Sequence, residues 1–441
     1  MKKNTLKKIT IVLLILLISL ISFMGIYQKQ LNRMVNILPE YKVGMDFGEI
    51  REVRLDVSNA TETKYFDENG VEVDEPEEDS EESNITSREV AVNPEEALNA
   101  ENYAIVKDIM LKRLDTIGAT EYHLRQDENG YFAIEFPENE NTSLYIDTIA
   151  TTGKFEIKDN ETSEILLNNN NIKDATVVTY PGETGTATVY LIINFNKEGK
   201  EKLEEISNVY VQTTDDEGNT TTKNVLITLD DETIMNTYFG QTMTTGQIQI
   251  PIGNATSSES ALSTYIAQAQ LIASVLKHGN LPITYEITYE NILSSTIRQD
   301  AKQILTIIVG VVIIIAVAYM IVRYNNGLLL GLSWIGFIAC LLLVLRFTNS
   351  IISLNSIVAT VIICVFDYIF LNAILHNKKG RAFKEIMVNY AMIGIPMYII
   401  AVVFTFARMT TVSSFGIALF WGSILMMIYN LVITKNLHED E

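Results

Sequence analysis

The 441-residue chain is 48% hydrophobic with 54 acidic and 33 basic residues, a formal net charge of −21 and a mean hydropathy of +0.17. That is too apolar for an ordinary soluble protein, so part of it must face lipid, and its negative charge opposes binding to a phosphate backbone, which excludes nucleic acid as a partner. Both cysteines, Cys340 and Cys364, lie inside apolar runs, and the four histidines (His123, His278, His376, His438) show no ligand spacing. The polar region is therefore expected to lack disulfides, and no metal site or cofactor is expected.

In chain order, the first element is the charge-free apolar run Ile9 to Tyr27, which follows Lys2, Lys3, Lys7 and Lys8. Its length suits a membrane-crossing helix. A signal peptide starts the same way, but the run exceeds a typical signal core and no small-x-small cleavage site follows, which favours a retained anchor.

Between Glu62 and Val90 the chain is dominated by acids and has almost no consecutive apolar positions, so this stretch predicts a solvated, flexible insert. From Pro94 to Gly118, apolar residues at near-helical spacing predict a helix. YHLRQ (122–126) and YFAIEF (131–136) flank an AspGluAsnGly turn and predict a hairpin. Further on, 187–195 and 225–230 predict strands, 198–206 a helix, and 257–279 a helix ending on Gly279. The mixture predicts an α+β domain with helices on one face of a mainly antiparallel sheet. No phosphate loop, nucleophile elbow or paired catalytic constellation appears, so an enzyme is not expected.

Five further apolar runs fill the last third: Ile304 to Val322, Leu328 to Leu345, Leu354 to Leu375, Ile386 to Phe406 and Val412 to Ile433. Together with the first run they predict six transmembrane helices. Basic residues cluster at the N-terminus, at Arg323 and in HNKKGRAFKE (376–385). This bias places both termini in the cytoplasm and residues 31–300 outside it, followed by a five-helix membrane domain over 301–441. Arg346 and Arg408 fall near the outer ends, where long cationic side chains snorkel.

One carboxylate, Asp367, falls within the run Leu354 to Leu375. A carboxylate at the centre of a membrane helix costs roughly 2.5–3.5 kcal/mol on insertion scales, and such residues default to function, here as a group that takes up and releases a proton as its surroundings change. The alternative is a buried Asp held for packing by a Ser, Asn or Arg of a neighbouring helix. Asn372 reads as a helix-contact residue.

Several segments, in order, resemble the SecD family. YKVGMDFGEI (41–50) is similar to the family's Leu-Gly-Leu-Asp-Leu-x-Gly-Gly segment at Gly44, Asp46 and Gly48, without the paired glycines. LKRLDTIGATEYHLRQDENGYFAIEFP (111–137), with Arg113 and Gly118, VYLIINFNKEGKEKLEEIS (189–207), VLITLD (225–230), with Asp230, and HGNLPITYEI (278–287), with Gly279 and Pro282, match the soluble-domain segments. VRYNNGLLLG (322–331), VFDYIFLNAIL (365–375) and SSFGIALFWGSILMM (413–427) are similar to membrane segments, and Asp367 falls at the family's Val-Asp-Ala-Asn aspartate. The fifth helix departs from the family: IGIPMYIIA (393–401) replaces its Asp-Ala-Asn-Ile-Thr-Thr pattern, and Pro396 within it predicts a kink.

The resemblance implies a bacterial cytoplasmic-membrane accessory subunit of the Sec translocase that uses the proton gradient, with Asp367 as proton relay. The implied partners are a SecF-like second subunit, the Sec channel complex and unfolded secretory polypeptides. Two rivals stay open: a component of a related proton-driven resistance-nodulation-division (RND) efflux system, and an anchored extracytoplasmic binding protein without transport activity.

Overall fold

The computed structural model describes all residues except 1–2, 24–25, 29–32, 36–37, 40, 68–71, 74–84, 183–185, 212, 215–219, 257–258, 349, 377–382, 408 and 439–441. Helix α1 spans Lys3–Phe23. It ends four residues before the expected Tyr27, because Ile26–Gln28 pairs antiparallel with Arg33–Val35. The described chain divides into two units, residues 51–291 and residues 1–50 together with 292–441.

The first unit is α+β. Helix α2 (Ala100–Thr116) starts later than the sequence predicts: Glu95–Ala97 forms a separate 3-10 turn, and the Asn99 side chain accepts the Asn102 N–H as N-cap. Its far end is a Schellman turn, in which the Gly118 N–H reaches the Asp115 carbonyl and the Ala119 N–H reaches the Leu114 carbonyl, with Gly118 at φ 77°. Val106, Met110 and Leu114 of α2 and Tyr145, Ile146 and Ile149 of α3 (Thr142–Ala150) are buried in one core with Val53, Leu55, Phe132, Ile134 and Phe136. Those last residues alternate on strands of a four-stranded sheet, ordered Tyr285–Leu293, Ile50–Val57, Phe132–Pro137, His123–Gln126. Arg51 fastens this sheet, with a bidentate pair to Glu138 at 2.7 and 2.6 Å and a third bond to Glu290 at 2.6 Å.

A second core lies in the same unit. One antiparallel sheet runs Ile165–Asn168, Phe155–Asp159, Val225–Leu229, Glu232–Thr237, and another runs Ile172–Pro181, Thr186–Phe195, Gln247–Thr256. Helices α4 (Lys197–Val209) and α5 (Glu259–His278) supply Leu203, Ile206, Ile272, Val275 and Leu276 to the apolar interior with Phe155, Ile157, Leu191, Ile193 and Ile250. The expected single sheet is thus three sheets serving two cores. The ends of the acidic insert also depart from expectation. Thr61–Phe66 pairs in register with Thr86–Ala91, from Thr61 with Ala91 to Phe66 with Thr86, as a ribbon whose side chains are mostly exposed. Backbone pairing needs no apolar core, which is why composition did not reveal it; residues 68–71 and 74–84 lie outside the described set.

The second unit holds α1, α6 (Gln299–Arg323), α7 (Gly327–Arg346), α8 (Leu354–His376), α9 (Phe383–Thr405) and α10 (Thr410–Tyr429). Among the described residues, five helices are by length and composition apolar enough to cross a membrane: α1, α6, α7, α8, and α10 with its continuation to Leu437. In α9 the apolar stretch Tyr390–Thr405 is shorter than these five, and Pro396 lies inside the helix. Their outward residues are large and apolar, such as Ile307, Ile314, Val322 and Ile395, as lipid contact requires. Small residues let the helices approach: a Cβ on Gly422 would sit 2.9 Å from Ile363 of α8, and one on Gly416 would meet the backbone of Thr405 at 2.4 Å.

Candidate functional site

Asp367 is 1% exposed on α8, whose residues Ile363, Phe370 and Leu371 share apolar cores with residues of α7. After Tyr429 the last helix loosens into a π turn, Asn430–Thr434, before residues 435–438 resume the α-helix. Such turns cluster at functional sites because they shift the facing of the residues they hold. This one presents Asn430, whose Nδ2 donates to Asp367 Oδ1 at 2.6 Å and to the Met426 carbonyl at 2.9 Å. Thr434 Oγ1 donates to Asn430 Oδ1 at 2.7 Å and lies 3.3 Å from Ser333 Oγ on α7. Tyr429 adds a bond from its hydroxyl to the Ser333 carbonyl at 2.9 Å. Four buried polar side chains on three helices therefore satisfy one another in an apolar surround, where each would be costly alone.

The walls are aromatic and tightly packed. Trp334 Nε1 donates to the Cys364 carbonyl at 3.0 Å, and its ring lies 5.1 Å from that of Tyr368. The Asn372 amide donates to the Tyr368 carbonyl at 2.9 Å on its own helix. Arg346 does not reach the site. It donates to the Pro39 and Ser22 carbonyls and lies 4.3 Å from the centre of the Tyr41 ring, while Arg408 is outside the described residues.

Gly44 and Asp46 belong to the same unit as Asp367. The Gly44 N–H bonds the Ile352 carbonyl at 3.0 Å, and the Ile352 N–H bonds the Lys42 carbonyl at 2.8 Å, which ties the 41–48 segment to the connection before α8. At the head of α8, Ser353 and Ser356 cap each other reciprocally, and the Asp46 carboxylate takes the N–H of Leu354 at 2.9 Å. Asp46 and Met45 also accept, through their carbonyls, the N–H groups of Ile297 and Thr296 ahead of α6.

The remaining motif positions gather in the α+β unit. Arg113 is fully buried, and its guanidinium donates to the carbonyls of Thr148 (3.2 Å), Thr151 (2.5 Å), Thr152 (3.0 Å) and Gly279 (2.7 Å). Burial pulls its pKa down to about 10, opposed by the Asp230 carboxylate, so the group stays charged at neutral pH. Asp230, at φ 51°, accepts from the N–H groups of Gly153 and Lys154 at 2.7 to 3.0 Å. Gly279 ends α5 at φ 82°, and beside Pro282 the Leu281 N–H bonds the Thr152 carbonyl at 2.8 Å. Arg113, Asp230 and Gly279 therefore meet at one turn, residues 151–154, while Gly118 serves as a helix terminator. Among the described residues, no group of three or more His, Cys, Asp or Glu could hold a metal ion.

Asn430, Thr434 and Ser333 were not anticipated. Their trace in the sequence is the Asn-x-x-x-Thr spacing within the apolar NLVIT, which places two polar side chains one turn apart.

No family model matches the chain. The protein translocase subunit SecD of Petrotoga mobilis is 25% identical over 266 residues, 56% of this chain and 51% of that protein, so the chain spans about half the length of this relative. SecD of Acidaminococcus fermentans is 20% identical over 345 residues, 74% of this chain and 76% of that protein. A crystal structure of SecDF in a super-membrane-facing form aligns with a TM-score of 0.62 at 17% identity, covering 99% of this chain and 57% of that one. The fold and its apolar helices define a membrane protein with a SecDF-like fold. Within that fold the chain is similar in sequence to SecD subunits, in keeping with the order of its motifs.

Proposed function

We propose that this chain is an accessory subunit of the Sec protein translocase in the bacterial cytoplasmic membrane, and that it uses the proton gradient to assist export of unfolded polypeptides. The observation that carries this reading is the enclosed Asp367, held by Asn430 within the apolar helices of a SecD-like chain. Retaining a carboxylate there costs roughly 2.5–3.5 kcal/mol, and a proton site is the use that warrants it.

In this account six helices span the membrane, both termini are cytoplasmic, and the α+β domain (about 31–300) lies outside, where it holds the emerging chain. Loss and gain of the Asp367 proton alters packing among α7, α8 and α10, and a SecF-like partner completes the proton path. The α+β domain performs no bond chemistry.

The test is export of a secreted reporter in cells whose only copy carries Asp367→Asn, compared with wild type and with a deletion at matched membrane levels. The proposal expects the substitution to slow export as the deletion does. Export slowed by the deletion but normal with Asp367→Asn would remove the proton role, and export indifferent to both would leave an anchored binding protein as the better reading.

A further inference from the structure

Asn430 does more than fill space beside Asp367. An asparagine amide can face a neighbour with either its NH₂ or its oxygen, and hydrogen-bond partners decide which. Both sides are decided here. Met426 offers a carbonyl 2.9 Å from Nδ2, which only an N–H satisfies, and the Thr434 hydroxyl donates to Oδ1 at 2.7 Å. Rotating the amide by half a turn would set its oxygen against the Met426 carbonyl, two acceptors facing each other in an apolar interior. The group turned toward Asp367 is therefore a donor, at 2.6 Å from Oδ1. An amide nitrogen has no basicity to offer, so Asn430 cannot relay a proton.

We propose that Asn430 is a positioning residue for Asp367: clamped by Met426 and Thr434, its amide occupies Oδ1 in both protonation states and leaves Oδ2 as the oxygen that gains and loses the proton. In the step, a hydronium ion breaks one of its O–H bonds and becomes water as an O–H bond forms at Oδ2, converting the carboxylate to the neutral acid, and release to water reverses both changes. Thr434 sets the clamp by orienting the amide, and its proximity to Ser333 carries the arrangement onto α7. The π turn is what brings Asn430 and Thr434 onto the Asp367 side of the helix. Among the described residues, the titratable side chains interacting with the site are Cys364 on α8, Tyr429 on α10 and, through Tyr429, Cys340 on α7. These remain unchanged in every variant below. The inference rests on the proposed proton role of Asp367 and specifies how that role is built.

The experiment is pH-difference infrared spectroscopy of the full chain in lipid vesicles, reading the carbonyl stretch of a protonated carboxyl. Asp367→Asn identifies the band by removing it. Asn430→Leu, close in size, and Thr434→Val are expected to shift that band and its pH profile, whereas Thr434→Ser, which keeps the hydroxyl, is expected to leave both near wild type. Should Asn430→Leu fail to accumulate, the Thr434→Val and Thr434→Ser pair carries the test. A band that Asp367→Asn removes but that neither Asn430→Leu nor Thr434→Val moves would overturn the positioning role and leave the proton reading intact. If Asp367→Asn removes no band, Asp367 does not change protonation, and both fall.

Discussion

The Asp46 carboxylate accepts the backbone N–H of Leu354 at 2.9 Å, and Leu354 is the first residue of the helix that carries Asp367. A motif residue more than 300 positions earlier thus caps the head of α8, where the helix dipole favours a negative charge. The same short segment accepts N–H groups from the approach to α6, so one loop holds the starts of two membrane helices.

From this, Asp46→Ala should destabilise the membrane unit by about 1 kcal/mol, the usual loss for a helix cap. Asp46→Asn keeps an acceptor and should recover most of it. Thermal unfolding in detergent of the three proteins reads the difference. Equal midpoints for Asp46→Ala and wild type would show that the carboxylate does not cap α8.

Arg113 makes a second, independent prediction. Arg113→Leu leaves the carbonyls of Thr148, Thr151, Thr152 and Gly279 without the guanidinium that they share. The expected loss is about 2–4 kcal/mol in the α+β unit, since buried acceptors without donors cost about 1–3 kcal/mol each and some will find water. Denaturant unfolding followed at a fluorophore placed in that unit measures it, and a loss below 1 kcal/mol would contradict the structural weight given to this residue.

The same junction fixes a pH dependence. Burial, the main cause, and the neighbouring positive charges of Lys277, Arg113 and Lys112 lower the pKa of His278, whose Nε2 is 2.7 Å from Thr116 Oγ1. A depressed folded pKa means that the unfolded chain binds the proton more readily. The contribution of neutral His278 is therefore complete above its unfolded value near 6.5 and is lost as pH falls through the folded value. His278→Gln should flatten the fall in unfolding midpoint between pH 7 and pH 5 relative to wild type. A slope identical to wild type would exclude this residue as a source of the dependence.

How far the sequence reached differs from element to element. The end of α5 at Gly279, the hairpin around residues 127–130 and the apolar runs of α1, α6, α7, α8 and α10 were legible because glycine, turn residues and apolar length are local signals. Asp367 was legible because one carboxylate stands out in an apolar run. Asn430 and Thr434 were not, because a regular helix extrapolated from NLVIT cannot show the shift that a π turn introduces. Arg113 stood out only as a position of the resembled family's motif, and its burial was not legible because it depends on carbonyls that arrive from residues 148–152 and 279. Separation of the strands into three sheets depends likewise on long-range pairing, such as Val225–Leu229 with Phe155–Asp159, which no local pattern encodes.

The central claim is that Asp367 couples a proton gradient to polypeptide movement, and in vitro translocation into inverted membrane vesicles tests it most directly. Vesicles carrying wild-type chain or Asp367→Asn at equal levels are assayed with the gradient intact and after an ionophore collapses it. The account predicts that the wild-type chain stimulates translocation only while the gradient stands, and that Asp367→Asn gives no stimulation in either state. Gradient-dependent stimulation that survives in Asp367→Asn would contradict it.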